Sequence, residues 1–72
     1  MNYELIYVDS SAINNARYDH KSERLIVGFT SGAKYQYKNV PLFYWRGLQS
    51  SDSKGKFITK HVVKRFSFDK LS

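Results

Sequence analysis

The sequence predicts a single α+β domain in which a small antiparallel sheet of three or four strands is covered on one face by two short C-terminal helices. Three observations support this. The chain has 72 residues, the size of one small domain. Residues 1–40 contain short β-branched and aromatic runs between turn-forming residues, as strands do. Residues 41–66 instead place apolar residues at helical spacing.

The clearest predicted element is a hairpin of residues 24–29 and 33–38, joined by the turn Thr30-Ser31-Gly32. Gly32 can take the positive φ that a three-residue turn requires. Because side chains alternate along a strand, this turn places three opposed pairs on one apolar face: Leu25 with Tyr37, Val27 with Tyr35, and Phe29 with Ala33. That face is expected to pack inward, and the polar opposite face to meet water.

The remaining strands are less sharply marked. Residues 3–8 predict a first strand, residues 12–15 a short turn and residues 17–19 a short second strand. Phe66 and Phe68 predict either a packing contact or a further short strand. The domain is therefore assigned to residues 1–68, and residues 69–72 are expected to fray.

Two helices are expected after the sheet. Pro41 suits the first position of a helix, and Leu42, Trp45 and Leu48 then recur on one helical face. The run of residues 50–53 interrupts this helix. Asp52 or Ser53 is a suitable N-cap for a second one.

Composition limits the class of protein. The chain contains no cysteine, which excludes disulfides, thiolate metal sites and a cysteine nucleophile. A domain this small without disulfides is expected in a reducing compartment, so a cytoplasmic location is predicted. The N-terminal residues lack the basic and apolar regions of a signal peptide, and no apolar stretch approaches a membrane span. We expect a monomer with no cofactor, no metal and no small-molecule substrate.

Charge is unevenly placed along the chain. Residues 1–33 hold three bases and four acids, a net charge of −1, whereas residues 34–72 hold nine bases and two acids, a net charge of +7. Such asymmetry favours a polyanionic partner or an acidic protein surface. A basic face that only keeps the protein soluble is the simpler alternative.

The second predicted helix concentrates this charge. Its cations are spaced so that several share one face, and they are the candidate phosphate ligands: Lys54, Lys56, Lys60, Lys64 and Arg65. Lys34 and Lys38 of the sheet could add to them. An ordinary solvated helix face is the alternative. Like charges four residues apart cost helix stability when nothing neutralises them, which favours a partner.

Residues that could catalyse a reaction are sparse. Ser10 and Ser11 lack the context of an activated nucleophile, so a turn or cap role is expected. His20 and His61 are the only histidines, and with scattered acids they form a poor metal ligand set. His61 is expected to pack or to lie at the rim of the core. The chain is predicted not to be an enzyme.

Several short motifs occur in a characteristic order: Val8-Asp9-Ser10-Ser11-Ala12-Ile13, Tyr18-Asp19, Leu25 to Phe29, Gly32, Tyr35-Gln36-Tyr37, Val40-Pro41 and Ser53-Lys54-Gly55-Lys56-Phe57. In this order the chain resembles the KTSC domain, over about residues 6–63. That family takes its name from the C-terminus of some lysyl-tRNA synthetases and also occurs as small stand-alone bacterial and phage proteins. The resemblance implies RNA binding by association. One departure is Ser51, where the family leads us to expect a small apolar residue.

Two of the family motifs have two interpretations each. Tyr35 and Tyr37 could stack unpaired bases, but the hairpin register favours a place in the core. The segment 53–56 could bind an anion with backbone N–H groups and two lysines. The alternative, which we favour, is that Ser53 caps the helix and Gly55 permits close packing.

Two functions from different classes remain. The first is a nucleic-acid-binding module, with RNA favoured, that acts through the basic C-terminal helix. The second is a protein-docking regulator, for example a phage-encoded protein that binds host RNA polymerase and modulates transcription. In the second case the basic half meets an acidic surface, and the anchors are aromatic residues and an arginine: Tyr7, Tyr44, Trp45 and Arg46.

Overall fold

A computed structural model describes residues 3–72 and contains one antiparallel sheet followed by helices that cover one of its faces. The five strands are β1 (Tyr3–Tyr7), β2 (Ile13–Asp19), β3 (Arg24–Phe29), β4 (Lys34–Tyr37) and β5 (Phe68–Lys70). They pair in chain order, β1-β2-β3-β4-β5. The predicted fold class is confirmed, with five strands where three or four were expected.

The predicted hairpin is confirmed in its register. Leu25 lies opposite Tyr37 and Val27 opposite Tyr35, and the N–H of Phe29 donates to the carbonyl oxygen of Ala33 at 2.9 Å. Gly32 has a φ of 97°, the left-handed conformation that the turn requires. Alternation of apolar residues was therefore sufficient to place this element.

The second strand is longer than predicted. Residues 13–15, which were expected to lie in or beside a turn, belong to β2, and the register against β3 shifts between Ile13 and Asn15. This β-bulge puts both Ile13 and Ala16 in the core, three residues apart. A bulge adds one unpaired residue and so breaks the period of two by which a strand is detected.

The C-terminus forms the fifth strand instead of fraying. Phe68, Asp69 and Lys70 pair with Tyr37, Gln36 and Tyr35. Beyond them the N–H of Leu71 donates to the carbonyl oxygen of Lys34 at 2.7 Å. The expectation that residues 69–72 fray was wrong, because backbone pairing with β4 holds a segment whose own polar composition does not indicate a strand.

Two helical segments pack against the sheet. Helix α1 (Leu42–Ser50) has Pro41 as its N-cap and buries Trp45 and Leu48. Helix α2 (Lys54–Phe57) continues without a break into a π-helical segment (Ile58–Val62), in which the N–H of Val63 donates to the carbonyl oxygen of Ile58 at 3.0 Å. Together these two segments are called the C-terminal helix.

The core lies between the sheet and the helices. Tyr18 of β2 stacks on Trp45 of α1, with ring centroids 5.3 Å apart and an interplanar angle of 12°. The Tyr18 hydroxyl donates to the carbonyl oxygen of Val40 at 2.7 Å, and burial raises the pKa of this phenol. No helix formed by residues 3–72 is long and apolar enough to cross a membrane. No helix within residues 3–72 covers the other face of the sheet.

Candidate nucleic-acid interface

The C-terminal helix has one buried and one charged side. Ile58 and Val62 are fully buried against the sheet and α1, whereas Lys56 and Lys60 are exposed. The helix ends at Val62, so Lys64 and Arg65 lie in the turn that follows, both exposed. Residues 54–65 are called the basic segment. Packing of its apolar side therefore holds its lysines toward solvent.

The cations of the basic segment have no acidic partner among residues 3–72. The contacts between basic and acidic side chains in this part of the chain are those of His20 Nε2 with Glu4 Oε1, at 2.6 Å, and of Lys38 Nζ with Asp69 Oδ2, at 3.4 Å. The segment itself contains five bases and no acid. Its positive charge is therefore left for solvent, counterions or a ligand to neutralise.

Two of these five cations are already engaged with neutral groups. The half-buried Lys54 donates from its Nζ to the carbonyl oxygen of Ser51 at 3.0 Å. The guanidinium carbon of Arg65 lies 5.9 Å from the centre of the Tyr44 ring, within cation–π range. Among residues 3–72, Lys56, Lys60 and Lys64 make no such contact, and they are the freest candidate phosphate ligands of the predicted set.

Tyr35 and Tyr37 belong to the core side of the sheet, as the hairpin register favours. Tyr37 is 1% exposed, and burial raises the pKa of its hydroxyl. Tyr35 is half-buried and stacks on Phe68, with centroids 5.0 Å apart. Because the Tyr37 ring is buried in the core, a base cannot stack on it in this fold. Tyr35 is only half-buried, and its stacking on a base stays a prediction.

The serine pair and the late Ser-x-Gly motif meet in space. A Cβ placed on Gly55 would lie 2.6 Å from the Ser10 Oγ, which is closer than two non-bonded atoms approach each other in proteins. The same Oγ accepts hydrogen bonds from the N–H groups of Ala12 at 3.2 Å and Ile13 at 3.4 Å. Ser10 is thus a turn cap, as expected, and Gly55 allows the helix to approach it.

Ser53 occupies the N-cap position, yet its side chain makes no capping hydrogen bond. The N–H of Ser53 instead donates to the Oγ of Ser51 at 3.1 Å. The hydroxyl of Ser51 is therefore used inside the loop, which explains how a polar residue is accommodated where the family resemblance suggested an apolar one.

A cleft of ≈ 380 Å³ opens beside this junction, between the end of β1 and the start of the C-terminal helix. Ser10, Ser53 and Gly55 form part of it. Its charged lining consists of Asp9, Asp52, Lys54 and Lys56. Two carboxylates and two ammonium groups give this lining no net charge, although no ion pair joins them among residues 3–72. The cleft is therefore not the simple anion site that segment 53–56 suggested.

The predicted aromatic and arginine patch does not form as one surface. Trp45 is fully buried and cannot anchor a partner. Tyr44 packs edge-to-face on Phe66, with centroids 5.1 Å apart, and is half-buried. Tyr7 and Arg46 are exposed, and Tyr7 lines the cleft described above.

Two features of the site were missed at the level of sequence. The uncovered sheet face carries Arg17 as well as Lys34, around a groove of ≈ 270 Å³ that also includes Tyr7. Separately, Glu4 accepts hydrogen bonds from His20 Nε2 at 2.6 Å and Gln49 Nε2 at 2.9 Å, which hold the pKa of its carboxyl below the ordinary value. Both sets join distant parts of the chain, so no local spacing signals them.

Comparison with known proteins agrees with this arrangement. The family model of the KTSC domain matches residues 9–66, which include both halves of the Ser10–Gly55 junction. The chain belongs to the KTSC domain family. A crystal structure of a KTSC domain protein from Yersinia pestis superposes with a TM-score of 0.88 at 28% identity, covering 97% of this chain and 99% of that one.

The sequence relatives of this KTSC domain differ in size. Lysine–tRNA ligases of Nostoc punctiforme and Trichormus variabilis are 31% identical over 70 residues, or 97% of this chain, and the chain spans only 12% of their length. A protein of Tsukamurella paurometabola is 41% identical over 59 residues, covering 82% of this chain and 88% of that protein. The domain therefore occurs both within a ligase and in a small protein of similar length.

Proposed function

We propose that this KTSC domain is a nucleic-acid-binding module, with RNA favoured, in which the basic segment contacts phosphates. The observation that supports it most directly is the set of exposed lysines of the basic segment, whose apolar side is buried and whose cations have no acidic partner among residues 3–72. Lys56, Lys60 and Lys64 supply the free charges, and Arg65 lies beside them.

RNA is favoured over DNA because of the relatives. The ligases that match over nearly this whole chain are named for their action on tRNA. The matching region is 12% of their length, and a small domain can strengthen binding to a polyanion without taking part in the chemistry. We accordingly propose that the domain itself is not catalytic.

Salt dependence tests the proposal. A protein that neutralises phosphates releases counterions, so the logarithm of its affinity falls linearly with the logarithm of the salt concentration, by about 0.7 per phosphate on a single strand. Replacing Lys56, Lys60 and Lys64 with glutamine should make this slope shallower by about 2. Fluorescence anisotropy of a labelled RNA across a salt series measures it.

A matched control removes the same charge elsewhere. Lys21, Arg46 and Lys70 are exposed and lie outside the basic segment, so the triple glutamine variant at these positions has the same net charge. It should keep nearly the wild-type slope. Equal losses in both triple variants would mean that net charge alone sets the binding, and the basic segment would then not be the site.

Docking onto an acidic protein surface is the other proposal, and the same exposed lysines could serve it. Docking has fewer exposed aromatic anchors than the sequence predicted, since Trp45 is buried and Tyr44 is half-buried. Capture from a lysate treated with nuclease separates the two functions. Loss of every retained component after nuclease treatment supports nucleic acid, and a protein retained through the lysine positions supports docking.

A further inference from the structure

One exposed aromatic side chain has no ring or guanidinium partner among residues 3–72. Tyr7 is 77% exposed and stands at the end of the edge strand β1. Among residues 3–72, every other Tyr, Phe and Trp ring lies near another aromatic ring, a histidine ring or a guanidinium group. Tyr7 is the exception, and 77% of its surface is open to solvent.

The position of Tyr7 joins two surfaces. It lines the cleft shared with Lys54 and Lys56, and it also lines the groove on the uncovered sheet face with Arg17 and Lys34. A ligand that passes over Tyr7 therefore has cations on each side of it. The cleft beside the basic segment and the groove on the open sheet face therefore meet at this residue.

The chemistry of the cleft suits a base better than a phosphate. Asp9 and Asp52 would repel an anion, but carboxylates accept hydrogen bonds from the exocyclic amino groups of bases. A neutral heteroaromatic ring can stack on an exposed tyrosine while the phosphates on either side of it meet the flanking cations. A volume of ≈ 380 Å³ lies within the range of small-ligand sites.

We propose that Tyr7 is the stacking residue for one unpaired base of a single-stranded nucleic acid, bound where the end of β1 meets the start of the C-terminal helix. This inference rests on the proposed function and narrows its ligand to single strands. A duplex keeps its bases stacked inside and offers only phosphates, so Tyr7 contributes nothing to duplex binding.

The test compares single-stranded and duplex RNA of the same length with Tyr7→Ala and Tyr7→Phe. Loss of one stacked base should weaken single-strand binding by about 5- to 150-fold in Tyr7→Ala and leave duplex binding unchanged. Tyr7→Phe keeps the ring and should bind single strands within about threefold of wild type, since stacking needs the ring and not the hydroxyl. Binding of a DNA strand of the same sequence shows whether the protein distinguishes ribose from deoxyribose.

Phe43→Ala is the matched control. Phe43 is 80% exposed and lies on α1 outside both grooves, so its loss should leave both affinities unchanged. Two results would overturn the inference and leave the salt-dependent proposal standing. One is that Tyr7→Ala keeps the wild-type affinity for single strands. The other is that Tyr7→Ala weakens duplex binding as much as single-strand binding, and that Phe43→Ala does the same. Failure of every nucleic acid to bind would overturn both.

A second copy of the chain pairing along the β1 edge is the competing use of this surface, because edge strands present unpaired backbone groups. Sedimentation of the wild-type protein over a concentration series decides it. A monomer throughout supports the inference. A dimer that dissociates in the Tyr7→Ala variant would overturn the inference, since Tyr7 would then lie in an interface between two copies of the chain.

Discussion

Ser10 and Gly55 lie 45 positions apart in the sequence, and their contact sets how closely the C-terminal helix approaches the sheet. A glycine in a helix is unfavourable by about 1 kcal/mol relative to alanine, so its use at position 55 requires a reason. The reason is steric, because any Cβ there would meet the Oγ and Cβ of Ser10. This contact therefore also determines where the lysines of the basic segment lie relative to the sheet.

We therefore expect Gly55→Ala to destabilise the domain by about 1–3 kcal/mol, as overpacking does. In a Ser10→Gly background the clash is absent, and the same substitution should become neutral or stabilising because alanine favours the helix. Urea denaturation followed by the fluorescence of Trp45, the only tryptophan, measures all four corners of the cycle. An equal cost of Gly55→Ala in both backgrounds would contradict the account.

Single residues also mark the limits of what the sequence could predict. Tyr37 was placed correctly because its hairpin partner Leu25 lies nearby in the chain. The sequence allowed Trp45 to be either a core residue or an exposed anchor. Its helical spacing with Leu48 shows that the two share a face of the helix, but not whether the sheet covers that face. Tyr7 was predicted only as an anchor for a protein partner, because its lack of a neighbouring ring among residues 3–72 depends on the positions of all other rings.

At the scale of elements, β1, the β3–β4 hairpin and α1 follow from local patterns, whereas the full length of β2 and the π-helical segment do not. The bulge in β2 interrupts the alternation between Ile13 and Ala16. The π-helical segment likewise widens a turn that the sequence predicts as an ordinary α-helix. These irregularities are settled by packing against the rest of the fold, which no short window contains.

Strand β5 is the element whose contribution the sequence least reveals. Its three residues are all exposed, and its backbone pairs with β4. Phe68 gives it an apolar contact, because the ring stacks on Tyr35 and lies 5.7 Å from Tyr37. The strand thereby covers the family's Tyr-x-Tyr pair.

We expect Phe68→Ala to lower the free energy of unfolding by about 1–2 kcal/mol, less than the 3–5 kcal/mol of a fully buried Phe, because the ring is 50% exposed. Phe43→Ala removes an equal ring that is 80% exposed and should cost within about 0.5 kcal/mol. Denaturant titration of both variants compares them. Equal costs would show that β5 adds no stability through its side chain.

At the scale of the whole molecule, charge and shape are divided between two faces. The helices bury one face of the sheet and direct the basic segment outward, while the other face stays open around Arg17 and Lys34. Sequence alone predicted the basic segment and the α+β fold. It did not predict that Tyr7 would connect the two surfaces, since that link arises only when β1 becomes an edge strand beside the C-terminal helix.

The central claim is that this surface binds nucleic acid, and the most direct measurement is an NMR titration of the labelled protein with an unstructured single-stranded RNA at low and high salt. The account predicts shifts confined to the basic segment and the surroundings of Tyr7, which shrink as salt rises. The β2–β3 turn, residues 20–23, should not move. Absence of any shift at low salt, or shifts that salt leaves unchanged, would contradict the claim.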